Sequence, residues 1–242
     1  MFRSCMRPVW TGAAIFLISL LSGHPRSFAG FVDVNFYPEL TEVNTDSVLT
    51  VNVFSKLPGR FQYFSLTNVI NTDRSTELSG EVDLYTEQNL RWQVAKDSPF
   101  DLTVQLNFRS GRENDRHRLG ARWRFDDTPV LTPFFDALNL SYSINFHLIQ
   151  FDHEAADVWQ MEHVVRKTFP GISDRLYLAG FVDHTFGQDL PAGYPSAPIV
   201  AEFQLGCRLV DQFHLIAEYR INEYRRTDTR NLAIGLQYIA KW

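Results

Sequence analysis

The sequence predicts an all-β chain: a single antiparallel up-and-down transmembrane β-barrel of about twelve strands. Three observations carry this. The last twelve residues alternate, with Leu232, Ile234, Leu236, Tyr238, Ala240 and Trp242 on one face and Asn231, Gly235, Gln237 and Lys241 on the other, beside Ala233 and Ile239. Strand side chains alternate with period two, so this is a two-faced strand that ends on an aromatic. Segments of similar length and alternation recur along the chain. The third observation is an aromatic load of 20 Phe, 9 Tyr and 5 Trp in 242 residues, of the kind that barrels place as girdles at both bilayer interfaces.

The N-terminus reads as an export leader. Arg3 and Arg7 precede a short apolar run, Gly12 to Leu21, and Ser27-Phe28-Ala29 offers a small-residue cleavage site. Residues 1–29 are therefore expected to be a cleaved signal peptide, and 30–242 the barrel. The run is too short to span a membrane as a helix. Cys5 leaves with the leader and Cys207 stands alone, so no internal disulfide framework is expected. Removing the leader's three arginines, Arg3, Arg7 and Arg26, takes the net charge from −5 to −8. That excludes the basic footprint of a nucleic-acid binder. A mean hydropathy of −0.19 is compatible with a barrel, because half of each strand faces a polar lumen.

In order, the strands are expected at 30–37, 46–56, 60–70, 81–95, 100–109, 116–125, from Leu138 to Leu148, 157–169, 174–186, from Ile199, 213–222 and 231–242. The first could instead be a plug, which would change the count. In the fifth, Leu102, Val104, Leu106 and Phe108 oppose Thr103, Gln105, Asn107 and Arg109. In the sixth, Leu119, Ala121 and Trp123 oppose Arg118, Gly120, Arg122 and Arg124. With Trp242 at the periplasmic end, the connections near Pro58, Ser98, Pro129, Pro170 and Asp211 fall on the periplasmic side. They are short, as this barrel class requires, except the two-proline stretch from Asp126 to Pro133. The longer, polar connections fall outside. His163 is a misfit: unbroken alternation puts it on the lipid face, and a local bulge would re-aim it.

The polar faces carry the candidate site. Glu87, Arg91, Arg109, Arg122, Arg124, Glu162, Arg166, Tyr177, Phe181, Asp183, Glu202, Gln204, Arg208, Glu218 and Arg220 are expected to line the lumen. Facing charged ladders can select a solute by size and charge, or they can form a salt-bridge network that stiffens a closed barrel. A hydrolase would need a nucleophile bonded to a base. Ser143 and His147 share a face but lie roughly 13 Å apart along an extended strand, so His147, His184 or His214 would need a partner on another strand. The histidines lack metal-ligand spacing. Neither a metal nor a cofactor is expected.

A terminal strand closing on Trp242 resembles the closing strand of bacterial outer-membrane barrels, where it is also the assembly signal. The C-terminal half further resembles the nucleoside-specific channel-forming (Tsx-like) outer-membrane family. The carriers are the strand from Trp159 to Phe169, Gly180-Phe181-Val182-Asp183-His184, Glu202-Phe203-Gln204-Leu205 and Glu218-Tyr219-Arg220-Ile221-Asn222. Phe61 to Asn68 and Tyr85-Thr86-Glu87 match the family's early strands more loosely. Glu87 lacks the Pro-Arg that follows there, and Phe203 replaces a frequent Pro. The resemblance implies a monomeric twelve-stranded barrel with a narrow channel that admits nucleosides. The expected setting is the lipid and lipopolysaccharide of a Gram-negative outer membrane. The expected partners are a small polar solute and the barrel assembly machinery, with no nucleic acid.

Overall fold

The computed structural model describes residues 29–38, 47–72, 81–110, 115–151, 157–225 and 229–242. The leader expected at 1–29 lies outside these, apart from Ala29, as do parts of the far-end loops.

Twelve antiparallel strands close into one barrel, each bonded to its sequence neighbours and β1 to β12. They are β1 Gly30–Tyr37, β2 Ser47–Leu57, β3 Phe61–Thr72, β4 Glu81–Gln93, β5 Phe100–Arg109, β6 Arg116–Arg124, β7 Leu140–Gln150, β8 Trp159–Phe169, β9 Ser173–Phe186, β10 Ile199–Val210, β11 Phe213–Asn222 and β12 Arg230–Lys241. The first segment is a strand and not a plug. Gly30 and Trp242 exchange backbone bonds at 3.0 and 3.1 Å, and Asn35 sits opposite Gln237. Closure removes both sheet edges, which would otherwise leave unpaired backbone groups.

The alternation is inverted relative to a soluble protein. Along β12 the apolar residues Leu232, Ile234 and Leu236 are 50–62% exposed, while Asn231 and Gln237 are 8% and 3% exposed. The polar face is the inner one. Aromatic pairs ring the outer wall at both ends. Phe61–Trp92, Phe100–Trp123 and Phe213–Tyr238 lie near the end that holds the termini, here the near end. Trp159–Phe186 lies at the far end. Near-end links are short, as at Pro58–Arg60 and between β10 and β11.

Three local expectations change. The long near-end connection contains a helix, α1 (Thr132–Leu138). Leu138 therefore ends a helix, and Asn139, with φ of 50°, turns the chain into β7. Sequence alternation ran through that turn because Leu138, Leu140 and Tyr142 happen to keep the period. Second, β7 has a bulge: Leu119 faces Ile149 but Gly120 faces His147, so Leu148 is extra. This turns both His147 and Gln150 inward. Third, no bulge re-aims His163. Its pairing is unbroken on both sides, with Ile144 and Val182. It stays on the outer wall with Nδ1 2.6 Å from the Tyr142 hydroxyl, which supplies the polar partner an apolar surround withholds.

Candidate functional site: the barrel lumen

The register places all fifteen candidate residues on the lumen face. Asp33 pairs with Asn52, Glu87 with Asn107, Glu162 with Asp183, and Glu202 with Phe181 and Arg220. Arg91 faces Thr103 and Gln62, Arg109 faces Tyr85, and Arg122 faces Asp101 and Asn145. Arg124 pairs with Ser143, Arg166 with Ala179 and Ser141, Gln204 with Ala179 and Glu218, and Arg208 with His214. Tyr177 pairs with Gly206 and Thr168.

These residues do not form one cluster. They divide into two walls. On β3–β8, side chains are knitted to closure. The Arg122 guanidinium donates to Asp101 at 2.7 Å and to Gln62 at 2.7 Å, and Asp101 is 1% exposed. Arg124 approaches the same carboxylate at 3.5 Å. Arg118 donates to Gln105 at 2.7 Å and Gln150 at 3.0 Å. Asn145 donates to Glu162 at 2.5 Å, and His147 lies 3.3 Å from Gln105 and 3.6 Å from Glu162. Asn89 donates to Glu87 at 2.6 Å.

The second wall spans β9–β12 and β1. Tyr37 donates to Glu218 and accepts from Gln204 at 2.8 Å. Gln204 Oε1 lies 2.7 Å from the Tyr177 hydroxyl, which also approaches Gln237 at 2.5 Å. Arg220 donates to Glu218 and stands 3.7 Å from Glu202. Both tyrosines lie flat on this wall over glycines. A Cβ on Gly206 would fall 2.1 Å from the Tyr177 ring, and one on Gly235 2.7 Å from the Tyr37 ring. The rings therefore line the wall without filling the lumen. Glu87, Phe181, Asp183, Glu202 and Gln204 are only half-buried and Arg166 is exposed, so space for solvent remains between the walls.

The candidate arginines differ in what holds them. Arg122, Arg124, Arg208 and Arg220 have carboxylate partners, and Arg220 also lies over the Tyr37 ring at 5.2 Å. Arg91, Arg109 and Arg166 instead stack on aromatic faces, with guanidinium carbons 5.5 Å from Phe64, 5.1 Å from Tyr85 and 4.3 Å from Tyr177. Among the described residues none of these three has a carboxylate within ion-pair distance. A stacked guanidinium is held in place with its edge donors unspent. Tyr177, by contrast, is 4% exposed with one face under Arg166 and an edge of the ring on His214. It has no free face for a solute, which leaves Phe181 as the half-buried aromatic of the candidate set.

The candidate set left out several inward groups: Tyr37, Asp33, Asn89, Gln105 and Asn145 line the lumen by the same alternation. Gln105 and Asn145 already fall on a polar strand face in the sequence and are uncharged, while Tyr37 and Asp33 sit in the short first strand. The three candidate histidines are each tied to something other than a nucleophile: His147 to Gln105 and Glu162, His184 to the Ala197 carbonyl, and His214 to the Gln212 carbonyl. At the far mouth, beyond β11, Tyr224 donates to Gln188, and burial raises its phenol above the usual value. It stays a neutral donor. No group of three His, Cys, Asp or Glu among the described residues could hold a metal ion.

No protein-family model matches the sequence, and no curated protein matches it significantly. Solved structures do match. A KdgM porin aligns with a TM-score of 0.51 and 13% identity over 86% of this chain and 98% of its own. The KdgM porin in complex with disordered oligogalacturonate gives 0.51 and 14% over the same shares. A NanC porin gives 0.52 and 12%, also over 86% and 98%. At these identities the likeness is one of fold: this chain has the closed twelve-stranded barrel architecture shared by those outer-membrane porins.

Proposed function

We propose that this protein is an outer-membrane channel that passes small polar solutes by passive diffusion, with a preference for organic anions. The observation that carries the reading is the set of lumen arginines, Arg91, Arg109 and Arg166, held on aromatic faces without a carboxylate partner among the described residues. Guanidinium edges recognise carboxylate and phosphate bidentately, and Arg does so with less loss of freedom than Lys. Binding spread over several such groups lets a solute enter and leave again, as conduction requires. Oligogalacturonate, named for one structural neighbour, is a polycarboxylate of the chemistry these donors suit. The exposed apolar wall and its aromatic rings support a bilayer setting for the barrel. The near end then faces the periplasm, and the strand ending at Trp242 would be read by the assembly machinery. We take the unit as a monomer, surrounded by phospholipid and lipopolysaccharide.

Nucleosides, the class implied by the Tsx-like resemblance, are the second reading. Half-buried Phe181 supports it as a stacking face beside Asp183 and Glu202. The experiment is single-channel recording of the refolded chain in a planar bilayer. Under a salt gradient the reversal potential should show anion preference, and galacturonate oligomers should block the current at lower concentration than nucleosides do. Block by nucleosides alone, with cation preference, would overturn the anion reading. A verified folded barrel without conductance would overturn the channel.

A further inference from the structure

We infer that α1 is an in-plane lipid anchor, seated at the boundary between headgroups and acyl chains on the periplasmic side. This inference rests on the membrane reading above.

The helix lies on the outer wall. Phe135, 8% exposed, stacks on Tyr142 at 6.3 Å and meets Phe125, which itself stacks on Trp123 at 4.1 Å. Tyr142 and Trp123 both point outward, opposite to the lumen residues Ser143 and Arg122. From β8, outward-facing Lys167 donates to the Leu138 carbonyl at 2.5 Å, satisfying one of the helix's last free acceptors.

At about 100° per residue the helix then has three sides. Leu131 and Phe135 face the barrel. Phe134 and Leu138 lie four residues apart on one flank and are 61% and 39% exposed, and Val130, four residues before Phe134 in the turn that leads into the helix, is 82% exposed. The opposite flank holds Thr132 and Asp136. The helix joins the near end of β6 to the near end of β7, so with one side against the wall we take its axis to run across the strands, which points the two flanks along the barrel axis in opposite senses. One is apolar and the other polar, as a helix lying in a membrane interface requires. In water the apolar flank would stay uncovered. The lipid-facing wall on which the helix packs supplies the cover: Phe100 and Trp123 of the near-end girdle lie 5.6 Å apart, and Trp123 stacks on Phe125, the ring that meets Phe135 of the helix. The anchor also accounts for the longest of the near-end connections.

The test uses the full mature chain with Cys207→Ser, refolded into vesicles of phosphatidylethanolamine and phosphatidylglycerol. Nitroxide labels are placed singly by Val130→Cys, Phe134→Cys, Asp136→Cys and Leu236→Cys, the last in mid-wall. Collision rates with oxygen and with a water-soluble nickel chelate are compared. The labels at 130 and 134 should favour oxygen several-fold, as the one at 236 does, while the label at 136 favours nickel. Nickel access at 130 and 134 with oxygen access at 236 would overturn the anchor and leave the membrane barrel standing. Nickel access at 236 as well would overturn the membrane reading and the anchor with it. Val130 precedes the helix and is the most exposed of the three, so its variant keeps the test informative if Phe134→Cys fails to fold.

Discussion

A lumen arginine's role is decided by what holds it. Arg122 and Arg91 look alike in sequence, each an arginine on a polar strand face. Arg122 is bonded to Asp101, whose carboxylate is buried and whose Oδ1 has no hydrogen-bond partner among the described residues. Replacing Arg122 by Gln removes the closer of its two cations and leaves the buried carboxylate only Arg124, at 3.5 Å, at a cost of up to about 3–5 kcal/mol. The expected readout is a large drop in the temperature at which the folded barrel loses its anomalous gel mobility, with recovery in the Arg122→Gln/Asp101→Asn pair. Arg166 stacks on Tyr177 and has no acid to strand. Arg166→Gln should leave the melting temperature nearly unchanged and move the reversal potential toward cations. An unmoved potential would remove Arg166 from the conduction path. At Gly206 the constraint is steric. Gly206→Ala would push the Tyr177 ring off the wall and into the lumen, so conductance should fall in a barrel that still folds.

Elements are legible where their period survives and illegible where it is mimicked. The ends of β5 and β11 agree with their alternation residue for residue, because strand ends there coincide with charged or tight turns. α1 was not legible. Its last residue, Leu138, continues the alternation of β7, and two prolines, Pro129 and Pro133, read as turn residues when Pro133 lies in the first turn of a helix. A second feature at this scale is a polar quartet on the outer wall, in the middle of β3 and β4. Thr67 and Thr86 hydroxyls lie 2.9 Å apart, Gln88 donates to Thr86 at 2.7 Å, and Tyr63 donates to Gln88. Lipid offers no replacement bonds. Thr86→Val should therefore cost on the order of 1–2 kcal/mol in a bilayer, measured by urea-induced unfolding from vesicles. No loss would place this patch in contact with water or protein.

At the scale of the whole molecule, closure is the governing fact. The first and last strands are bonded to each other, and the Gly30–Trp242 backbone pair ends the seam. Deleting Trp242 removes that pair and an outward aromatic at the near-end rim. Assembly in cells should fall sharply, while refolding into detergent micelles falls only modestly. An equal loss in both would assign Trp242 to stability alone and not to the assembly signal.

By itself the sequence determined the barrel, its strand order and which side of each strand carries charge. Those follow from period-two alternation, which is local and can be counted along the chain. It also determined that fifteen charged, amide or aromatic residues belong to the polar face. Only the tertiary structure decided how they divide. Whether an arginine meets a carboxylate or an aromatic face depends on neighbours brought from other strands, and register and bulges set those neighbours. The bulge at Leu148 turns His147 and Gln150 to the same side, and no count along β7 foretells it. The same holds for α1. Its two flanks acquire meaning only once a wall is set beside them, because a helix has no inside until something packs against it.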